Sequence, residues 1–269
     1  MLKGGGLNYM NKLYKKIRHL LIALVIKITE KKFNFAGHSV KYIYEDNKKS
    51  NLCVVFSGFP ELGKKAEYNY KRTLHNYKEF NYLFILDNMV NIPTGGSYYL
   101  GCDGNYWGLE AIPELIKMIQ KKCNCKFLVM TGSSKGGTCA LLYGARLGAD
   151  YIIAGSCQYK IGSYMLNPYH LNSLKVLTGE KVIQKATIEF LDSLCYENLK
   201  NNINKDHTKI YLHYSDNEET YEKHIKYLIR DLDNMNYNIT FEIMNYENHG
   251  DVGKYFPAFL LKVLSSICH

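Results

Sequence analysis

KFLVMTGSSKGGTCALLYGARL, residues 126–147, reads as strand, tight turn and helix. Phe127, Leu128, Val129 and Met130 form an unbroken apolar run, the pattern of a strand buried on both faces of a parallel sheet. Gly132-Ser133-Ser134-Lys135-Gly136 then fits G-x-S-x-G, a sharp strand-to-helix corner that holds a serine hydroxyl clear of the sheet. That serine is Ser134. A side chain two residues before or after it would collide with the corner, and Gly132 and Gly136 carry none. Cys139, Ala140, Leu141, Leu142, Ala145 and Leu147 wrap most of the way round the following helix, so burial on several sides is expected, with Gly148 as its stop. The competing reading is a glycine-rich turn cradling a phosphate at a helix N-terminus. P-loop spacing is missing, because Lys135 follows Ser134 instead of preceding a Ser or Thr after a spaced glycine.

A chain of 269 residues suits one sizeable α/β domain. Its hydrophobic fraction of 46% and charged fraction of 22% are those of a globular protein in water. The net charge of +9 raises the question of an anionic partner, yet the basic residues are thinly spread and no nucleic-acid-binding motif occurs. No nucleic-acid partner is expected. The eight cysteines show no framework spacing, and Cys53 and Cys139 fall in apolar elements where a thiol acts as a small hydrophobe. This favours a reducing, cytoplasmic setting. Cys123-Asn124-Cys125 lacks a second pair at zinc-site distance, so no metal is expected.

Residues 1–36 form a basic N-terminal segment. Lys12, Lys15, Lys16 and Arg18 precede a short apolar run, and Lys27, Lys31 and Lys32 follow it, which fits neither a secretion signal nor a membrane span. Leu13, Ile17, Leu20, Leu21, Leu24 and Ile28 share one helical face. Two readings stay open: packing on the domain, or a basic amphipathic helix lying on the cytoplasmic face of an anionic membrane. The remaining domain, residues 37–269, begins with strands at 40–44 and 52–56. The second runs into Ser57-Gly58-Phe59-Pro60, a glycine loop placed to supply half of an oxyanion hole. The backbone N–H groups of Phe59 and Lys135 are its candidate donors.

A third strand at 82–86 ends at Asp87 and leads into an aromatic loop containing Tyr98 and Tyr99, candidate substrate-binding residues. Ile112, Leu115, Ile116 and Ile119 mark a helix before the elbow strand, and residues 151–155 the strand after the elbow helix. The next strand starts only near Ile210. The insertion at about 157–207 is expected to form a helical cap over the site, and Gln158 and Tyr159 at its start join the candidate substrate-binding set. Strands at 210–214 and 239–244 and a closing helix at about 255–267 complete an α/β-hydrolase pattern, a mostly parallel sheet flanked by helices. In that pattern the catalytic order is Ser, then Asp or Glu, then His, the acid after a late strand and the histidine after the last one. Ser134, Asp216 and His249 satisfy order and placement together, with Asp251 as fallback acid. A structural alternative for this turn is a helix-capping box made by Ser215 and Glu218.

Gly132-Ser133-Ser134-Lys135-Gly136-Gly137, the Thr138-Cys139-Ala140-Leu141 after it, and Gln158-Tyr159-Lys160-Ile161-Gly162-Ser163-Tyr164 together resemble the serine-hydrolase-like proteins of the accessory Sec glycoprotein-export system. They are similar also to related proteins encoded with capsular-polysaccharide synthesis. The resemblance spans roughly residues 87–251 and implies an α/β-hydrolase fold used for O-acylation, typically acetylation, of sugar hydroxyls. It implies Ser134 as nucleophile with Asp216 and His249 completing the triad. The long N-terminal region of the export-system members is lacking, which shifts the expectation toward capsule or surface polysaccharide. No bound cofactor is expected, an activated donor such as acetyl-CoA serving as substrate. The expected partners are a carbohydrate or glycoprotein acceptor and glycosyltransferase or export proteins. A carboxylesterase or deacetylase, and a non-catalytic scaffold of the same fold, are the alternatives.

Overall fold

The structure, a computed structural model, describes residues 26–268 apart from Leu62, Asn91, Pro93 and Thr94. Of the amphipathic face expected from Leu13 to Ile28, all but Ile28 lies outside the described residues, and Ile28 is exposed. Eight strands form one sheet: β1 (Lys31–Phe35), β2 (His38–Glu45), β3 (Asn51–Phe56), β4 (Asn81–Leu86), β5 (Phe127–Ser133), β6 (Tyr151–Gly155), β7 (Lys209–Ser215) and β8 (Asn238–Met244). Their spatial order is β1-β2-β4-β3-β5-β6-β7-β8. β2 is antiparallel to both of its neighbours, and all pairings from β4 onward are parallel.

Alternate residues of the central strands feed two cores, one on each face. Leu52, Val54 and Phe56 of β3 go to one layer with Leu83 and Ile85 of β4, while Cys53, Val55, Tyr82 and Phe84 go to the other. Every residue of β4 is buried, as a strand covered on both sides requires. At roughly 1.5–3 kcal/mol for each large apolar side chain removed from water, these interior strands contribute heavily to stability. The first face is covered by α2 (Gly108–Lys122), α3 (Lys135–Leu147), α6 (Lys185–Lys200) and α7 (Lys226–Asn234). The second is covered by α1 (Lys71–Leu74) and α8 (Val252–Ser266), with Phe256, Phe259 and Leu260 against Val129 and Ile153.

After β3 the chain moves to β4 on one side, then crosses to β5 on the other. The loops leaving β3 and β5 therefore part company and open a crevice at the carboxyl ends of the strands. Between β6 and β7 lie α4 (Ile161–Met165), α5 (Leu171–Thr178) and α6. The insertion expected as a cap divides in two. Its early part walls the crevice through Lys160, Ser163, Tyr164, Asn167, Tyr169 and His170. Its later part, α6, packs along α3 as an ordinary flanking helix, burying Leu191, Leu194, Cys195 and Leu199. Among the described residues no helix is long and apolar enough to cross a membrane, and all eight cysteines are free thiols.

Candidate active site

Ser134 stands between β5 and α3 with φ 54° and ψ −129°, a strained left-handed conformation at a tight corner. The glycines around it answer to contacts that leave no room for a side chain. A Cβ on Gly132 would lie 2.5 Å from the carbonyl of Gly136, and one on Gly136 would lie 2.4 Å from the carbonyl oxygen of Phe56. The corner is thus pressed against both its own helix and the end of β3. The Ser134 N–H donates to the Gly155 carbonyl at 2.7 Å, and its carbonyl receives the Thr138 N–H at 3.1 Å.

His249 arrives from the far end of the chain on the short helical turn His249–Asp251 that precedes α8. Its Nε2 lies 2.8 Å from Ser134 Oγ. Its Nδ1 lies 3.0 Å from Glu218 Oε2 and 3.1 Å from Thr220 Oγ1. Asp216, the expected acid, is not there. It is exposed, in a shallow depression with Asn217, Ile243, Met244 and Asn245, while Glu218 is 3% exposed. The reason is local. Ser215 Oγ donates to the Tyr246 carbonyl at 2.6 Å and accepts the Tyr246 N–H at 2.9 Å, so the end of β7 is pinned to the loop after β8. The turn then carries Asp216 outward and Glu218 inward. Ser215 is accordingly no helix cap. Asp251, the fallback, pairs with Lys254 at 2.5 Å, and His213, inside β7, meets Glu242 instead of the serine.

A cleft of about 1000 Å³ opens over Ser134 and His249. Gly58 and Phe59 form its lip, and the Gly58 N–H is anchored on Asn69 Oδ1 at 2.7 Å. Phe59 stacks on His170 with ring centroids 4.0 Å apart, and Tyr164 lies 5.3 Å from the same imidazole. His224 lies in a π-helical segment, Tyr221–Ile225, and lines the cleft, where Nδ1 accepts the Lys160 N–H. Burial pushes the imidazoles of His170 and His224 down to about 4, with nearby lysine charge adding to the effect. Both are neutral near pH 7. Burial pushes the Tyr70 phenol up to about 12, leaving it un-ionised where it hydrogen-bonds Ser133.

The expected substrate-binding set is placed elsewhere. Tyr98, Tyr99 and Gln158 are fully buried, Tyr159 is 3% exposed, and none of the four lines the cleft. Tyr99 holds the strand ends together, its hydroxyl donating to the Ile85 carbonyl and accepting the Ser57 N–H. Tyr159 donates to Asp231. Gln158 meets the Ser134 and His249 side chains, and Tyr98 donates to Gln158 behind them. The side chains that do face the cleft include Tyr164, Tyr169 and Tyr227, with Lys160 above the Tyr227 ring at 4.2 Å.

One feature of the elbow had no sequence signal. The Lys135 ammonium is buried, 2.6 Å from the Asp87 carboxylate at the end of β4. Asp87 also accepts the N–H and hydroxyl of Ser97 and the N–H of Tyr99, so the loop after β4 is wound around it. Lys135 faces the Tyr99 ring at 4.6 Å and the Phe59 ring at 5.4 Å. Among the described residues no group of three or more His, Cys, Asp or Glu is arranged to hold a metal ion.

No family model and no curated protein matches the chain. Solved structures do. The Glycosylation Associate Protein (Gap123) complex of Streptococcus agalactiae matches with a TM-score of 0.71 at 20% identity, over 88% of this chain and 46% of that one. This chain therefore spans about half the length of that relative. The capsule O-acetyltransferase of Neisseria meningitidis serogroup A matches with a TM-score of 0.69 at 18% identity, over 88% of this chain and 98% of that one. Staphylococcus aureus FphF, a fluorophosphonate-binding serine hydrolase, gives 0.64 at 13% identity, over 89% and 97%. The chain has the α/β-hydrolase fold. Within that fold the serine corner, the acid after a late strand and the histidine after the last strand occupy the positions at which Ser134, Glu218 and His249 are found.

Proposed function

We propose that this chain is a serine-dependent O-acyltransferase that moves a short acyl group, acetyl in the first instance, from an activated thioester to a carbohydrate hydroxyl. The observation that carries this is the unbroken hydrogen-bond line from Ser134 Oγ through His249 to the buried Glu218 carboxylate. Glu218 at Nδ1 favours the tautomer that leaves Nε2 free to accept, and it offsets the charge that forms when the imidazole is protonated. Ser134 Oγ would attack the thioester carbonyl while His249 takes its proton. The N–H groups of Phe59 and Lys135 would hold the developing oxyanion. Collapse expels the thiolate, which leaves with the proton from His249. A sugar hydroxyl then attacks the acyl-serine, gives its proton to His249, and Ser134 is regenerated.

The acceptor side is supported by the aromatic cleft, where Tyr164 and Tyr169 offer flat faces to a sugar ring. Similarity to a capsule O-acetyltransferase, one structure of which holds CoA, supports the donor class. Similarity to the Gap123 complex supports protein partners in glycan assembly. Free thiols fit a cytoplasmic location, and any membrane contact would belong to the N-terminal segment.

A fluorophosphonate probe is expected to label the wild-type protein and not Ser134→Ala; equal labelling of both would remove Ser134 as nucleophile. A second reading, an esterase, is favoured by the shared fold of FphF and a ferulic acid esterase. Following a labelled acetyl thioester by mass spectrometry with and without glycans separates the two, because acetate release undiminished by any glycan belongs to the esterase. A protein inert to both tests yet captured with glycosyltransferases would be a scaffold.

A further inference from the structure

Gln158 is fully buried, outside the cleft, and held by its backbone to the elbow helix. Its N–H donates to Thr138 Oγ1 at 2.8 Å and its carbonyl accepts from the same hydroxyl at 3.1 Å. Its side chain touches both reacting atoms of the site. Nε2 is 2.8 Å from Ser134 Oγ and 3.1 Å from His249 Nε2, while Oε1 accepts from the buried Tyr98 hydroxyl at 3.3 Å. A neutral imidazole with its proton on Nδ1 has one lone pair at Nε2, so the amide N–H and the serine O–H compete for it. Once His249 has taken the serine proton, Nε2 is a donor. An amide N–H facing it is then repulsive, and an amide oxygen in the same place is attractive.

We infer that Gln158 is a further catalytic residue, whose carboxamide turns half a revolution as the proton moves. Nε2 faces the dyad when His249 is neutral, and Oε1 faces it when His249 is an imidazolium. The terminal amide torsion is broad and roughly two-fold, so the turn meets no deep rotamer well. The two ends of an amide have nearly the same size, so the pocket needs no rearrangement. Tyr98 completes the device, since a phenol oxygen can accept as well as donate and can serve either end of the amide. No atom of Gln158 is gained or lost. The proton travels from Ser134 to His249 and on to the leaving thiolate, and the amide stabilises the intermediate state. Substrate cannot reach Gln158, which separates this role from acceptor binding.

This inference rests on the proposed Ser134 chemistry, and its test reads His249 directly. Glu218 and Thr220 face that ring at Nδ1, the neutral His170 and His224 stand across the cleft, Lys160, Lys223 and Glu219 line the same cleft, and Asp251 and Lys254 follow on the next turn. The His249 imidazole is titrated by NMR in protein labelled at histidine, for wild type, Gln158→Met and Gln158→Glu. Gln158→Met keeps the shape and loses both ends of the amide, of which the acceptor facing a charged ring counts for more than the donor facing a neutral one. Its His249 pKa is expected to fall by about one unit, and its fluorophosphonate labelling rate by roughly ten- to a hundredfold, the loss of one hydrogen bond to a charged group. Gln158→Glu, an acceptor only, is expected to raise the pKa by about one to three units and to move the acid limb of labelling upward with it. A Gln158→Met protein that titrates and labels like wild type overturns the inference. Labelling of Ser134→Ala overturns the nucleophile instead, and the titration still reports whether the amide and the imidazole are coupled.

Discussion

Glu218 and Asp216 leave the same strand two residues apart, and only one meets His249. Replacing Glu218 by Gln keeps the shape and removes the charge that holds the tautomer; the acylation rate is expected to fall by ~10³- to 10⁴-fold. Asp216→Asn, on the surface, is expected to stay within about twofold of wild type. Stopped-flow acylation with an activated ester measures both, and the opposite ranking would return the acid to Asp216. That Ser134 and His249 would meet was legible because a strained serine corner and a histidine after the last strand leave local marks. The carboxylate that meets His249 was not. Which carboxylate turns inward depends on Ser215 gripping Tyr246 from another strand, a contact separated by 31 residues. Glu218 also carried a misleading local pattern, the capping box. Tyr98 and Tyr99 were misjudged for a related reason: a loop rich in Tyr and Gly looks like a binding loop until Asp87 is seen to pull it inside.

The elbow is a joint between β3, β5 and α3, and it tolerates little. Gly136→Ala would drive a Cβ into the Phe56 carbonyl, which is backbone and cannot swing aside. A loss of about 1–3 kcal/mol or more is expected, read as a lower urea midpoint. The Asp87 and Lys135 ion pair fastens the end of β4 to the first turn of α3 from within the core. Lys135→Met leaves a buried carboxylate without its counter-ion and is expected to cost about 3–5 kcal/mol, with Lys135→Met/Asp87→Leu recovering part of it. A double variant as unstable as the single one would show that the pair matters for its packing and not its charge. Among the elements themselves, β2 to β8 were legible from apolar runs. β1 was missed because Lys31–Phe35 is mostly polar and pairs only with β2 at the sheet edge. Only tertiary packing could show that α6 flanks α3 instead of roofing the site.

At the scale of the molecule, two buried histidines and the half-buried His170 set a response to acid. Burial lowers His213, and it pushes His170 and His224 down to about 4 from an ordinary value of 6.5. Between those values the unfolded chain binds protons that the folded chain refuses, so stability falls as pH drops from about 6.5 toward 4 and levels off below. The melting temperature followed over that range is expected to show this slope, and His170→Phe to flatten it; an unaltered slope would assign the effect to other groups. The class of fold was legible from the period and order of the strands, and the switch in strand order that opens the crevice was not, since it depends on which strands pair. The line from Ser134 to Glu218 is made wholly of this chain's own side chains. Nothing must be assembled by a second substrate before the first can react. Loading and discharge can then be separate events, and steady-state velocities measured against donor at several fixed acceptor concentrations should fall on parallel double-reciprocal lines, the mark of a ping-pong sequence.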